Sequence, residues 1–237
     1  MKRLMVSVIL PTFNEVGNII NLVSEIKQKL SQKGISHEII VVDDNSSDKT
    51  GEIAKKHFSK VANVTVIIRR SEKGLATAIR KGLEKASGEI VCVMDTDFSH
   101  DPKLVPVLVE KCQKYEFVVG SRYIRGGGME NKIKEKLSYL FNVFVSIVLV
   151  SPVHDNLSGF FAVRRTLFKG LDFDQIFWGY GEYFIRLIYL CKRRGASFAE
   201  VPSYYIDRQY GLSKSKFLSM FRDYLFATLA LRFNKNK

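Results

Sequence analysis

The chain reads as an α/β protein built on a mostly parallel sheet with helices on both faces, and three observations lead there. Short β-branched apolar runs alternate with segments of helical spacing through the first half. A length of 237 residues with 46% hydrophobic content allows a packed core for one such domain with an appendage or for two small domains. The apolar runs also end in polar clusters, and in open parallel sheets ligands bind beyond the carboxyl ends of the strands.

The elements follow in order. Residues 6–10 form a first strand that empties into Pro11-Thr12-Phe13-Asn14-Glu15, and residues 19–30 carry helical spacing with Lys and Glu outward. The start is read as this strand, because the apolar stretch before Pro11 is too brief for a signal peptide. A second strand at 38–42 ends in Asp43-Asp44-Asn45-Ser46-Ser47-Asp48. Ser47 and Asp48 stand where the N-cap of a helix over 49–58 belongs, which leaves Asp43 and Asp44 as site candidates. The third strand, 64–69, runs into Arg69-Arg70-Ser71-Glu72-Lys73-Gly74, either a solvated loop or a source of cations and N–H groups for a phosphate, and a helix follows over 75–86. The fourth strand, 89–94, leads into Asp95-Thr96-Asp97; a helix over 102–115 and a fifth strand at 117–120 complete the half.

Asp95 and Asp97 are the sharpest chemical signal. Carboxylates are the hard oxygen ligands of Mg²⁺ and Mn²⁺, and such sites draw on one or two carboxylates with substrate phosphates completing the shell. The competing reading is turn chemistry at a strand end. No G-x-G-x-x-G follows the first strand and no G-x-x-x-x-G-K-[ST] occurs, so dinucleotide and P-loop readings lose support.

The net charge of +13 is unevenly spread: residues 1–120 contribute +3 and residues 121–237 contribute +10. The second half is therefore where an anion should dock. Zinc-finger, homeodomain and RNP patterns are absent, so a phosphorylated ligand or an anionic membrane surface is expected and nucleic acid is not. The three cysteines, Cys92, Cys112 and Cys191, are odd in number and widely spaced, which indicates neither disulfides nor a zinc site and suits a reducing compartment.

Beyond the loop Gly126-Gly127-Gly128, residues 137–153 form the most apolar stretch, 17 residues punctuated by three serines and Asn142 and ended near Pro152. That is marginal for a bilayer span. A second apolar segment, 217–233, contains Arg222, Asp223 and Arg232, which suits an amphipathic helix on a membrane or packed on the domain. Residues 1–216, including an apolar interface helix at 132–151, are expected to form the main domain, with 217–237 a C-terminal amphipathic helix.

Six motifs in order then form a recognisable set: P-T-F-N-E at 11–15, D-D-N-S-S-D at 43–48, K-G-L-A-T-A at 73–78, M-D-T-D-F-S-H-D-P at 94–102, G-S-R-Y at 120–123 and D-R-Q-Y-G-L-S-K at 207–214. Together they resemble the family 2 glycosyltransferases, and within these the polyprenyl-phosphate sugar synthases of the dolichol-phosphate mannose synthase type. The resemblance implies a GT-A type nucleotide-sugar-binding fold and inverting transfer of a hexose to a polyprenyl or dolichyl phosphate. It implies Pro11, Phe13, Glu15, Asp43 or Asp44, Lys73 and Thr96 at the donor nucleotide, and Asp95, Asp97 and Ser99 at a divalent Mg²⁺ or Mn²⁺. Arg122, Arg208, Ser213 and Lys214 would surround the diphosphate and acceptor phosphate. Lys134, Ser138 and Asn142, four apart on one helix face, with Asp155, Ser158 and Glu182, would shape the acceptor side. Glu182 also suits a plain helix N-terminal charge.

GDP-mannose is expected as donor ahead of UDP-glucose. The enzyme is expected on the cytoplasmic membrane face without a spanning helix, with a membrane anchor subunit as a further partner. A lipid monophosphate, with a second pKa of ~6, is ionised at neutral pH and needs no general base. Rivals are a transferase acting on a sugar hydroxyl, which would need Glu182 or Asp155 as base, and a non-catalytic nucleotide-sugar-binding scaffold.

Overall fold

The computed structural model describes residues 5–207 and 217–233. Among them the β-branched runs become one seven-stranded sheet. Its strands are β1 (Met5–Thr12), β2 (Ser36–Asp43), β3 (Val64–Ile68), β4 (Ile90–Val93), β5 (Phe117–Ser121), β7 (Phe161–Arg164) and β8 (Phe198–Pro202). Their order is β3-β2-β1-β4-β7-β5-β8, and the short strands β6 (Gly128–Met129) and β9 (Tyr204–Tyr205) pair separately. β1 runs parallel to both β2 and β4, with Thr12 level with Asp43, so their polar ends share one edge. The departure from parallel order is β7, antiparallel to β4 and β5.

The first-half helices form where helical spacing predicts, with ends shifted by a few residues: α1 (Ile19–Gln32), α2 (Thr50–His57), α3 (Leu75–Lys85) and α4 (Leu104–Lys111). Successive strand residues face opposite sides. Val8 and Leu10 thus join the core beneath α1 and α4, whereas Ile9 joins the core beneath α3 and α7 (Glu182–Arg193). A Cβ at Gly82 of α3 would lie 2.4 Å from Ile9 Cγ2, so only glycine permits this approach of helix to sheet.

The second half adds α5 (Lys132–Leu149), α6 (Phe173–Ile176) and α8 (Phe217–Phe233). Asn131 caps α5 by accepting the Lys134 N–H, and α5 ends at Val150 in left-handed conformation. Phe141, Val145 and Leu149 of α5 pack with Ile185 of α7 and Tyr224 of α8. The other side of this pair is apolar and open: Ile133, Leu140 and Ile147, seven apart, are 75%, 65% and 72% exposed, and Phe226 and Phe233 of α8 match them. No helix among the described residues is long and apolar enough to cross a membrane. The three cysteines are buried and unpaired with one another, and burial pushes the Cys112 and Cys191 thiols up to about 12.

Candidate active site

A cavity of about 470 Å³ opens at the carboxyl ends of β1, β2 and β4. Pro11, Phe13, Glu15, Asp44, Lys73, Asp95, Thr96, Asp97, Arg122 and Ser158, all expected at the site, line it. Leu157, Gly159, Tyr180, Gly181, Tyr183 and Tyr205 line it too, as do Met220 and Tyr224 of α8. A larger groove of about 700 Å³ lies at the opposite end of the strands, between Lys33, Glu110, Arg164 and Arg165. There the Arg164 guanidinium donates to the carbonyls of Cys112 and Gln113 at the end of α4, which is a structural use, and the chemistry converges on the first cavity.

The two adjacent aspartates after β2 part company. Asp43 is fully buried and accepts from the Ser46 hydroxyl at 2.5 Å and the Ser46 N–H at 3.0 Å, tightening the turn into α2 behind the cavity wall. Burial raises its carboxyl above the usual range against the pull of those two bonds, with Glu52 and Asp44 adding to the rise. Asp44 faces the cavity, with one oxygen held by Arg69 Nε at 2.7 Å and the other by the Gly74 N–H at 2.7 Å. Arg69, 6% exposed, also donates to Thr77 Oγ1 at 2.9 Å and to the Gly74 carbonyl at 3.0 Å. The segment after β3 is thus an organised clamp on Asp44. Its burial had no signal in the sequence beyond an arginine at the end of an apolar run.

Asp97 is 2% exposed and accepts the N–H and hydroxyl of Ser99 at 3.0 and 2.5 Å across a turn in which Phe98 is left-handed. Ser99 itself is fully buried and its hydroxyl points at Asp97, so it aims that carboxylate. Beside Asp95 stands the buried Tyr183, whose phenol is pushed well above 10 by burial and then by the Asp95 charge. Behind the turn, His100 is buried between the rings of Phe160 and Tyr205, at 4.8 and 5.2 Å. Burial brings its pKa down to about 4, the nearby Arg122 adds to that, and the charges of Asp97 and Asp155 oppose it.

Arg122, 8% exposed, is locked by Asp155 at three points: its N–H at 3.0 Å, Nε at 2.8 Å and Nη2 at 2.7 Å. Burial works against its charge, but Asp155 outweighs that and holds the guanidinium above its ordinary range. The Ser158 hydroxyl donates to the Gly120 carbonyl at 2.5 Å, fixing the turn beside it.

The remaining expected residues fall elsewhere. Lys134 is exposed and pairs with Asp207 at 3.3 Å. Asn142 is buried and bonds the backbone of Ser138 and of Asn156, and neither it nor Ser138 lines the cavity. Glu182 is buried at the start of α7, where both its oxygens accept the Tyr180 N–H at 3.1 Å, and it stands behind the loop that lines the cavity. Arg208, Ser213 and Lys214 lie outside the described residues.

The fit of this site to a divalent metal rests on its donor chemistry. Asp95 and Asp97 bring hard carboxylate oxygens to one cavity, with Asp97 oriented by Ser99. Among the described residues no cluster of three or more His, Cys, Asp or Glu forms a ligand cage. Two carboxylates with a phosphorylated substrate supplying the other oxygens is the arrangement Mg²⁺ accepts.

Residues 7–171 match the profile described as glycosyl transferase family 2. The chain is 36% identical over 222 residues to a dolichol-phosphate mannosyltransferase of Pyrococcus furiosus, covering 91% of this chain and 60% of that protein. It is 30% identical over 213 residues to an undecaprenyl-phosphate mannosyltransferase of Micrococcus luteus, covering 87% and 85%. Its fold superposes with a TM-score of 0.73 on glucosyl-3-phosphoglycerate synthase from Mycobacterium tuberculosis, solved with Mn²⁺, UDP and glucosyl-3-phosphoglycerate, at 22% identity over 99% of this chain and 81% of that one.

Proposed function

We propose, for a chain that belongs to glycosyl transferase family 2, the transfer of a hexose from a nucleoside diphosphate sugar to a polyprenyl phosphate at a membrane surface, with inversion at the anomeric carbon. The observation that carries this reading is one cavity with two kinds of wall. Asp95, Asp97 and Arg122 supply metal-ligating oxygens and a cation for a polyanion, and Met220 and Tyr224, from the apolar helix α8, line the same cavity. The names of the relatives support mannose, and hence GDP-mannose, as the donor.

Asp95 and Asp97 hold the divalent metal, which when bound supplies Lewis-acid neutralisation of the donor diphosphate. Asp44, braced by Arg69, meets the nucleoside beside Pro11, Phe13 and Glu15. Arg122, immobilised by Asp155, is a fixed cation for the acceptor phosphate and requires no reorganisation as charge moves. Arg208, Ser213 and Lys214 belong to the same anion-binding task.

The acceptor phosphate arrives ionised, so no base is needed. A hydroxyl acceptor would need one, and the two carboxylates that could serve are committed: Asp155 to Arg122 and Glu182 to the Tyr180 N–H. The outward stripes of α5 and α8 rest on the cytoplasmic face of the membrane, where the exposed cations Lys132, Lys134, Lys136 and Arg222 are drawn to an anionic surface. A membrane subunit is a further anchor for the same face.

The test is a radiolabelled transfer assay offering GDP-mannose and UDP-glucose in parallel, with polyprenyl phosphate and Mg²⁺ or Mn²⁺. Lipid-linked product from GDP-mannose is expected. Product from UDP-glucose alone reassigns the sugar, and product in neither lane removes the lipid-phosphate reading.

A further inference from the structure

α5 buries Phe141, Asn142, Val145 and Leu149, and Asn142, 1% exposed, is the polar member of that set. An amide in an apolar seam is unfavourable unless both its ends are bonded. Here they are: Nδ2 donates to the Ser138 carbonyl at 2.9 Å, and Oδ1 accepts the backbone N–H of Asn156 at 2.6 Å. One turn further along α5, Ser146 Oγ accepts from Asn156 Nδ2 at 2.9 Å. The turn that α5 grips in this way carries Asp155, which is fully buried and holds Arg122 by its N–H, Nε and Nη2.

We propose that Asn142 is a positioning residue for Arg122: by fixing the backbone of Asn156 it seats Asp155, and so ties the cation of the active site to the helix whose outer stripe is Ile133, Leu140 and Ile147. This rests on the transferase reading above, in which Arg122 receives the acceptor phosphate. A leucine of similar size would fill the seam equally well, so packing alone gives no reason for an amide at this position. The bond to a backbone N–H does, because it fixes the turn whatever side chain residue 156 carries. A displacement of the order of 1 Å in a charged positioning group is enough to lower transfer by about a hundredfold.

The test is steady-state transfer to polyprenyl phosphate by N142L, S146A, R122K and the two double variants with R122K. For N142L, a rise of about tenfold or more in KM for the acceptor phosphate is expected, with KM for the nucleotide-sugar within about twofold of wild type. S146A shifts acceptor KM in the same direction by less. In the R122K background, neither change has a further effect, because its route runs through the lost guanidinium fork. Effects that multiply in the double variants, or a donor KM that rises in step, overturn the proposal. If N142L does not fold, the S146A and R122K cycle decides alone. R122K with unaltered acceptor kinetics overturns the assignment of Arg122 itself, and the proposal with it, whereas transfer lost from every variant's wild-type parent would indict the transferase reading instead.

Discussion

Arg69 Nε donates to Asp44 Oδ1 at 2.7 Å, and the two side chains are only 5% and 9% exposed. A buried pair of this kind is poorly replaced by one of its members, because removing the arginine leaves an uncompensated carboxylate. R69A is therefore expected to lose about 3 kcal/mol or more of stability. R69K, which keeps the charge but not the fork, should fold better and still bind the nucleotide-sugar more weakly. Denaturant melts and donor calorimetry read the two effects separately.

D97A is expected to abolish metal-dependent transfer. S99A is expected to weaken Mn²⁺ binding by about tenfold, because Asp97 loses the hydroxyl that aims it. Mn²⁺ titration followed by electron paramagnetic resonance measures this directly. Undiminished activity in D97A would remove the metal from the mechanism.

A Cβ at Gly181 would stand 2.0 Å from the Tyr224 hydroxyl oxygen. G181A should therefore push α8 off the cavity, at the about 1–3 kcal/mol typical of overpacking. Y224A in the same chain should recover part of the lost stability. Thermal melts of the single and double variants decide, and additive losses would show that α8 is not held through this contact.

His100 makes stability depend on pH in a defined window. Its folded-state pKa is lowered to about 4 from the ordinary 6.5. Between these values the unfolded chain takes up a proton that the folded chain refuses, so stability is full above 6.5 and falls as pH drops toward 4. The slope approaches ~1.4 kcal/mol per pH unit. H100F, which keeps a ring between Phe160 and Tyr205, is expected to flatten the profile relative to wild type. Parallel profiles in urea would exclude His100 as the source.

The open stripe of α5 predicts a membrane phenotype without a folding one. Leu140 and Ile147 are 65% and 72% exposed, so L140E/I147E should change stability by no more than about 0.5 kcal/mol per site. Co-sedimentation with anionic phospholipid vesicles should fall sharply. Retained binding would move the membrane contact to other residues.

Much of the fold was legible from local pattern. The runs that became β1 to β5 are β-branched and short, and the helices between them have clear spacing, so each element was specified by its own residues. Asp95-Thr96-Asp97 was legible for the same reason: it directly follows a strand whose end must meet the crevice. β7 was not, because the four-residue run Phe161–Arg164 suits several places in a sheet. Its insertion between β4 and β5 depends on which neighbours bury its two faces.

The site divided along the same line. The residue types at strand ends, and the family they resemble, came from the sequence alone. Which of Asp43 and Asp44 faces the cavity did not, since adjacent residues point to opposite sides and only the packing of α2 and the 69–74 clamp decides between them. Glu182 and Asn142 suit acceptor ligands by sequence, but Glu182 accepts the N–H of Tyr180 two residues before it, and a tertiary bond turns Asn142 toward the N–H of Asn156. Tyr224 reaches Gly181 from a helix about forty residues on. Chemistry carried by neighbours in the chain is written in the sequence, as in the Ser99 hydroxyl that aims Asp97; Asp44, Arg122 and Asn142 are oriented by partners distant in the chain, and folding alone brings those partners together.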